Sequence, residues 1–380
     1  MIVAGLISGT SLDAIDLAVV DLSWREDTVI LRPLHHAEHP WPAMIRARLL
    51  AALPPASTTM AEVAALDVLV GEAFADVARQ ATGAVLIASH GQNVFHWVEA
   101  GRARGSLQLG QPAAIVEATG LPVISDFRAR DVAAGGQGAP LASTLDALWL
   151  AGDTPQAALN LGGIANVTLV RAGLPVLAFD TGPASCLMDI EATRITQGAR
   201  SIDLDGRIAA AGRVDAGLLA QLLAEPYYAR AAPKSTGREL FDGGYTARYG
   251  AAGLGDADIM ATLVELTAVT VADACLAHGA ARVVASGGGV RNPVLMAALL
   301  RRLGGVPLVT SEALGLASEA KEAVLFALLG FLTWHGVAGT VPGATGAAVP
   351  RVLGRISPGD APLILPPPHA PPRGLLIELP

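Results

Sequence analysis

A chain of 380 residues, 52% hydrophobic and 16% charged, carries enough apolar side chain for more than one buried core, which excludes a disordered protein. A net charge of −8 without any run of Lys or Arg argues against nucleic acid or an anionic membrane surface as partner and favours a small ligand. Mean hydropathy is high at +0.47, yet the longest apolar stretch, 323–334, is shorter than a membrane span and reads as a buried helix. The first positive residue is Arg25, so no basic leader precedes an apolar segment, and Cys186 and Cys275 lack metal-ligand spacing. A reducing cytoplasm is the expected compartment.

In chain order, residues 2–8 and 15–22 are β-prone runs separated by Gly9-Thr10-Ser11-Leu12-Asp13, the pattern of a hairpin with a polar turn. Such a turn brings open backbone N–H groups, two hydroxyls and a carboxylate to one point, an inventory suited to a triphosphate with Mg2+ on Asp13 or Asp16. A plain tight hairpin would use the same residues. Residues 61–80 have helical periodicity, and 85–89, 107–109 and 123–125 read as strands. His90, in Ser89-His90-Gly91-Gln92, follows the first of these as a ligand donor or as a hydrogen-bonded strand end. Arg128 stands in the charged run 126–131, ahead of Gly135-Gly136-Gln137-Gly138-Ala139-Pro140. It can grip a substrate carboxylate bidentately or pair with Asp126 or Asp131.

Residues 157–170 repeat the opening pattern, with Gly162-Gly163 and Asn166 between two apolar strands, so the chain has two similar halves. Two glycine hairpins of this kind can hold phosphates from two sides. Neither a GxxxxGK[ST] nor a GxGxxG motif occurs, which excludes a Walker A loop and a dinucleotide fingerprint. Asp180 follows the strand 176–179 and precedes Thr181-Gly182-Pro183, the place of a cleft-facing acid or base, or of an Asx turn. Pro233-Lys234-Ser235-Thr236-Gly237-Arg238-Glu239 is a polar, basic loop that solvated surface would also explain. A long helix over 259–278 leads to a strand at 282–286, the turn Gly287-Gly288-Gly289 and a helix opening at Asn292-Pro293. Glu322 opens a buried helix that begins near Ala320, and beyond Pro358 a Pro-rich tail is expected to be peripheral.

Together the motifs at 9–16, 89–92, 126–128, 135–140, 160–166, 179–183 and 233–239 resemble, in order and spacing, the anhydro-N-acetylmuramic acid kinase family, from about Met1 to Pro358. The resemblance implies an α/β, two-domain actin-like (ribonuclease H-like) fold with an interdomain cleft for ATP and sugar. The expected domains are 1–140 and 141–358, followed by the tail 359–380. It implies an enzyme that uses ATP and water to open the 1,6-anhydro bond of anhydro-N-acetylmuramate, giving N-acetylmuramate 6-phosphate and ADP in peptidoglycan recycling. Gly9, Thr10, Ser11, Leu12, Asp13, Ala14, Ile15 and Asp16 match the first phosphate element, with Asp13 toward Mg2+. Gly162 and Gly163 match the second, and Gly287, Gly288, Gly289 and Asn292 the adenosine side. Asp180 matches the base, and Arg128, Glu322 and His90 the sugar pocket. The implied partner is an anhydro amino sugar, with no nucleic acid or membrane, and a homodimer is left open. Two departures stand out. Ala14 replaces the usual Gly, and Ala184-Ser185-Cys186 replaces a small-residue and Asn run. The rival readings are a hexose or N-acetylhexosamine kinase acting on a free hydroxyl, and an ATP-switched binding protein.

Overall fold

The computed structural model describes residues 1–9 and 11–379, so Thr10 of the first glycine turn lies outside the described residues. The chain divides into two compact units, Met1–Ala151 with Gly315–Pro380, and Gly152–Leu314. The first unit opens with β1 (Ile2–Ser8), β2 (Ala14–Arg25) and β3 (Thr28–Pro40), then β4 (Leu86–Glu99), β5 (Arg102–Leu109) and β6 (Val123–Ser125). The second holds β7 (Gln156–Leu161), β8 (Ile164–Val170), β9 (Leu177–Pro183), β10 (Arg282–Ser286) and β11 (Leu308–Thr310). The chain then returns to the first sheet as β12 (Arg355–Ser357) and β13 (Gly374–Ile377).

Both sheets are built on one plan. In the first, the order β3-β2-β1-β4-β6 has antiparallel β1/β2 and β2/β3 and parallel β1/β4 and β4/β6. In the second, β9-β8-β7-β10-β11 repeats that order with the same directions. The repeated five-strand pattern is the actin-like α/β fold, and it accounts for the likeness between residues 2–22 and 157–170. The first sheet extends outward by antiparallel β12 on β6 and parallel β13 on β3, while β5 pairs with β4.

Strand alternation sorts the first sheet's side chains into two cores. Ala4, Leu6, Leu17 and Val19 pack with the helices Ala43–Ala52 and Met60–Ala78, the latter capped by Thr59, whose hydroxyl accepts from Glu62 N. Val3, Ala18, Val20 and Leu22 pack on the other face with the helix Lys321–Trp334. The second unit's core is centred on Asp256–Ala277, the one helix among the described residues that is long and apolar enough to cross a membrane, and most of it is buried inside that unit.

These unit bounds correct the expected divisions at 140/141 and 358/359. Helix Lys321–Trp334 follows the second unit in sequence but lays its apolar faces on β1, β2 and β4, so it belongs to the first. The tail is tied down by β13, which pairs from Gly374↔Thr28 to Ile377↔Leu31, and by Glu378, which accepts from Arg32 Nε at 3.0 Å. β4 runs nine residues beyond His90, forming a hairpin with β5 that the expected short strands at 85–89 and 107–109 do not include.

Candidate active site

In the first unit the candidate residues begin at the β1–β2 hairpin. Leu12 has φ +56° and a fully buried side chain, so burial in the core holds a non-glycine residue in the left-handed region. Its N–H donates to Gly9 O at 3.2 Å, Gln92 Nε2 donates to the same carbonyl at 3.3 Å, and Arg46 Nε donates to Leu12 O at 2.7 Å. The turn is thus held from β4 and from the helix that follows β3. Ala14 already has strand backbone opposite Pro40, so its methyl meets no conformational demand for glycine.

Asp13 is exposed and lies 3.8 Å from Arg46. Asp16 is half-buried and pairs across the sheet with Glu38, and one ligand atom each of Asp16, Glu38 and His36 lie within 4.8 Å of one another. Burial, then Glu38, then Glu322 push the Asp16 carboxyl up to about 7. Two oxygen donors crowded together at the end of the phosphate hairpin suit a hard divalent cation. His36 Nε2 is buried without a hydrogen-bond partner, and burial lowers its pKa, so the ring is neutral.

Arg128, His90 and Glu322 come together in the same unit. Arg128 Nε donates to His90 Nε2 at 2.9 Å and Nη1 donates to Gly138 O at 2.9 Å. His90 is buried, its Nδ1 lies 3.1 Å from Gly91 O, and burial followed by Arg128 brings its pKa down to about 3. Both ring nitrogens are therefore engaged with the protein, and His90 Nε2 holds Arg128 Nε. Neither expected structural carboxylate takes Arg128 in a direct ion pair. Asp126 accepts from Arg355 Nε at 2.9 Å, and Asp131 accepts from Gly138 N and Thr345 Oγ1, each at 2.7 Å. Glu322 is exposed, and the protein around it pushes its carboxyl up, with Arg128 and Lys321 opposing.

The second unit presents Asp180 on β9. Its N–H donates to Lys234 O at 3.0 Å, its carbonyl accepts from Tyr227 Oη at 2.7 Å, and Oδ2 accepts from Thr236 N at 2.9 Å. The carboxylate bonds to a residue 56 positions on, so it does not close an Asx turn. Burial raises its pKa to about 6, the Thr236 N–H pulls it down and Glu239 pushes it up. Gly182, two residues later, has φ +150°, and a Cβ there would stand 2.8 Å from the Tyr228 ring.

The other glycine turns of this unit gather at the carboxyl ends of the parallel strands β7 and β10. Gly162 O accepts from Ser185 N at 3.0 Å, and Gly163 O from Ala184 N at 2.9 Å and Cys186 N at 3.1 Å, which ties the β7–β8 turn to the helix Ser185–Ile195. The Ala184-Ser185-Cys186 departure therefore supplies backbone donors that do not depend on side-chain identity. Gly287, at φ +88°, lies so close to Asn160 and Leu161 that a Cβ would stand 2.7 Å from Asn160 Oδ1. Gly288 and Gly289 continue in a short 3-10 turn, and Asn292 caps Pro293–Arg302 by accepting from Val294 N and Leu295 N, both at 3.1 Å. Thr236, Glu239, Glu38 and His36 were missing from the expected site residues. Only the polar composition of 233–239 hinted at the first two.

A model of the family described as anhydro-N-acetylmuramic acid kinase matches residues 1–359. The chain is 55% identical to an anhydro-N-acetylmuramic acid kinase of Streptomyces coelicolor, covering 99% of each chain. It is 51% identical to one of Rhodococcus erythropolis over 95% of each chain, and 45% identical to one of Xanthomonas oryzae pv. oryzae over 93% of this chain and 96% of that one. With a match of this extent spanning both units, the chain belongs to the anhydro-N-acetylmuramic acid kinase family.

Proposed function

We infer that the chain is an ATP-dependent kinase that adds water across the 1,6-anhydro bond of anhydro-N-acetylmuramate and phosphorylates O6, giving N-acetylmuramate 6-phosphate and ADP for peptidoglycan recycling. The observation that carries the mechanism is Asp180, a half-buried carboxyl raised to about 6 and aimed by the Thr236 N–H. Above that pH it is ionised and can take a proton from water attacking the anomeric carbon. The C1–O6 bond breaks as water adds at C1, and O6 receives the phosphoryl group as ADP leaves. Gly9 to Asp16, Gly162 and Gly163 hold phosphates, and Gly287 to Gly289 with Asn292 lie on the adenosine side. Asp16 with Glu38 suits Mg2+ better than Asp13, whose exposed carboxylate is shared with Arg46. Such an ion supplies charge neutralisation to the phosphates. Arg128, aimed by His90, and Glu322 hold the sugar. The free, buried Cys186 and Cys275 support a cytoplasmic setting.

The test is ADP release from ATP and Mg2+ with anhydro-N-acetylmuramate, N-acetylmuramate or N-acetylglucosamine, with product masses measured in parallel. A product heavier by HPO3 plus H2O, formed only from the anhydro sugar, is expected. Turnover confined to a free hexosamine would replace this reading with an ordinary sugar kinase, and sugar-independent ATP turnover with a nucleotide switch.

Arg128→Ala is expected to raise the sugar KM about 10- to 100-fold through loss of a charged hydrogen bond, with a smaller effect on kcat. Arg128→Lys should not restore it, because one ammonium cannot replace a guanidinium held by both His90 and Gly138. An unchanged sugar KM would remove Arg128 from the pocket. The acid limb of the kcat profile is expected near pH 6, and Glu239→Gln should move it to lower pH by removing the neighbouring negative charge. A limb that stays in place in that variant would show that Glu239 does not tune the base.

A further inference from the structure

We propose that Arg238 binds the terminal phosphoryl group of the nucleotide and stabilises its charge during transfer. This rests on the ATP-dependent kinase reading above.

Phosphoryl transfer asks for a cation at the oxygens of the moving group. The chain has two lysines, Lys234 and Lys321. Lys321, in the first unit, is buried against Asp146 at 2.7 Å. Lys234 is in the right loop, but its ammonium donates to Tyr227 O at 3.2 Å and Tyr228 O at 3.0 Å and lies 4.7 Å from the Tyr227 ring centre. Those contacts tie its ammonium down and anchor the loop.

The loop then runs from the base to the phosphate turn. Lys234 O accepts from Asp180 N, Thr236 N donates to Asp180 Oδ2, and two residues later Arg238 arrives at Gly163. A Cβ on Gly163 would stand 3.5 Å from Arg238 Nη2 and 3.8 Å from Nε, so the guanidinium lies within van der Waals reach of the turn. Cys186 and Asp189 also lie within its field. Asp189, the nearby acid, already accepts from Ser185 Oγ at 2.8 Å. Among the described residues no hydrogen bond or ion pair holds the Arg238 guanidinium, and the side chain is exposed. An anchored loop, the same one whose Thr236 N–H holds the proposed base, thus presents an open, planar donor fork beside the second phosphate turn. The bonds made and broken are unchanged. Arg238 keeps its proton throughout and only donates hydrogen bonds to oxygens whose charge grows as the bond to ADP breaks.

The test is calorimetric titration of the full-length protein, Arg238→Ala and Arg238→Lys with ADP and with the non-hydrolysable imido analogue of ATP, both with Mg2+. The native protein is expected to prefer the analogue. The Ala variant should lose about tenfold of that preference while its ADP affinity stays within about threefold, and Lys should recover part of it. In the sugar assay kcat should fall about 10²- to 10³-fold in the Ala variant. An unchanged preference for the analogue overturns the assignment. Equal weakening of both nucleotides together with a lower melting temperature overturns it too, by giving Arg238 a structural role. A native protein that binds neither nucleotide defeats the kinase reading itself and the proposal with it, whereas binding of both with an unaltered ratio in Arg238→Ala defeats only the proposal.

Discussion

Asp180→Asn is expected to lower turnover about 10³-fold and, at neutral pH, to raise the melting temperature by a few degrees. The two effects share one cause. Asparagine keeps an oxygen to accept from Thr236 N, so the loop that frames the site should stay in place, but it cannot take a proton. The native carboxyl titrates at about 6 in the folded chain against an ordinary value of 3.8. Between those values the folded chain holds a proton that the unfolded chain has already released. Asp180 therefore favours folding at the acid end, and that contribution is lost as pH rises through about 6. Well above 6 the native protein carries the full cost of a half-buried charge, on the order of 3 kcal/mol at most before solvent access reduces it, and the Asn variant does not.

The check is paired kinetics and thermal melts at about pH 5 and about pH 7.5, chosen to straddle the value near 6. The variant's advantage in melting temperature should be larger at the higher pH. Wild-type turnover in Asp180→Asn would remove the residue from proton transfer. A stability gap of equal size at both pH values would contradict a raised carboxyl and leave only a local packing effect.

The parts of this molecule that are local in sequence were legible before the fold. The two glycine hairpins are strand, turn and strand within about twenty residues each, and their similarity anticipates the repeated sheet plan. Asp180 reads from sequence as the residue just past a strand, because Thr181-Gly182-Pro183 looks like a turn, whereas β9 runs on to Pro183 and Asp180 pairs with Asn166 in its middle. What was hidden depends on pairing between distant segments. Asp16 meets Glu38 only because β2 and β3 pair in a register that shifts between Val19 and Val20, and no spacing along the chain reveals that shift. Thr236 reaches Asp180 through a loop that folds back along β9. Lys321–Trp334 is apolar on nearly every face, so its pattern predicts burial without saying in which core, and a boundary drawn at 358 assigned it to the wrong unit. His90 reads from sequence as a hydrogen-bonded strand end before it reads as a ligand donor. Only the contacts of both ring nitrogens decide between them.

Gly5→Ala is expected to cost about 3 kcal/mol of stability, roughly 6–12 °C in melting temperature for a unit of this size, and to raise the sugar KM as well. Gly5 lies in the middle of β1, on the face shared with Val3 that receives the helix Lys321–Trp334. A Cβ there would overlap the Ala323 carbonyl oxygen and stand 2.7 Å from Ala327 N. Those are backbone atoms of two fully buried residues, so no side-chain rotation can relieve them. The same close approach recurs at Gly330, where a Cβ would stand 2.6 Å from Ala88 Cβ on β4, so the helix is seated on the sheet at two glycines. Relief requires the helix to move away from β1 near its first turn, and Glu322 is the residue immediately before Ala323. The displacement therefore reaches Glu322, which shares a field with Arg128. Melts and steady-state kinetics, the latter run well below the variant's melting temperature so that only folded protein is assayed, separate the two effects. A destabilised variant with native KM for the sugar would show that the helix can shift without moving Glu322, and would detach the packing at Gly5 from the chemistry of the site. A variant with native stability would mean that β1 and the helix stand farther apart than these contacts require.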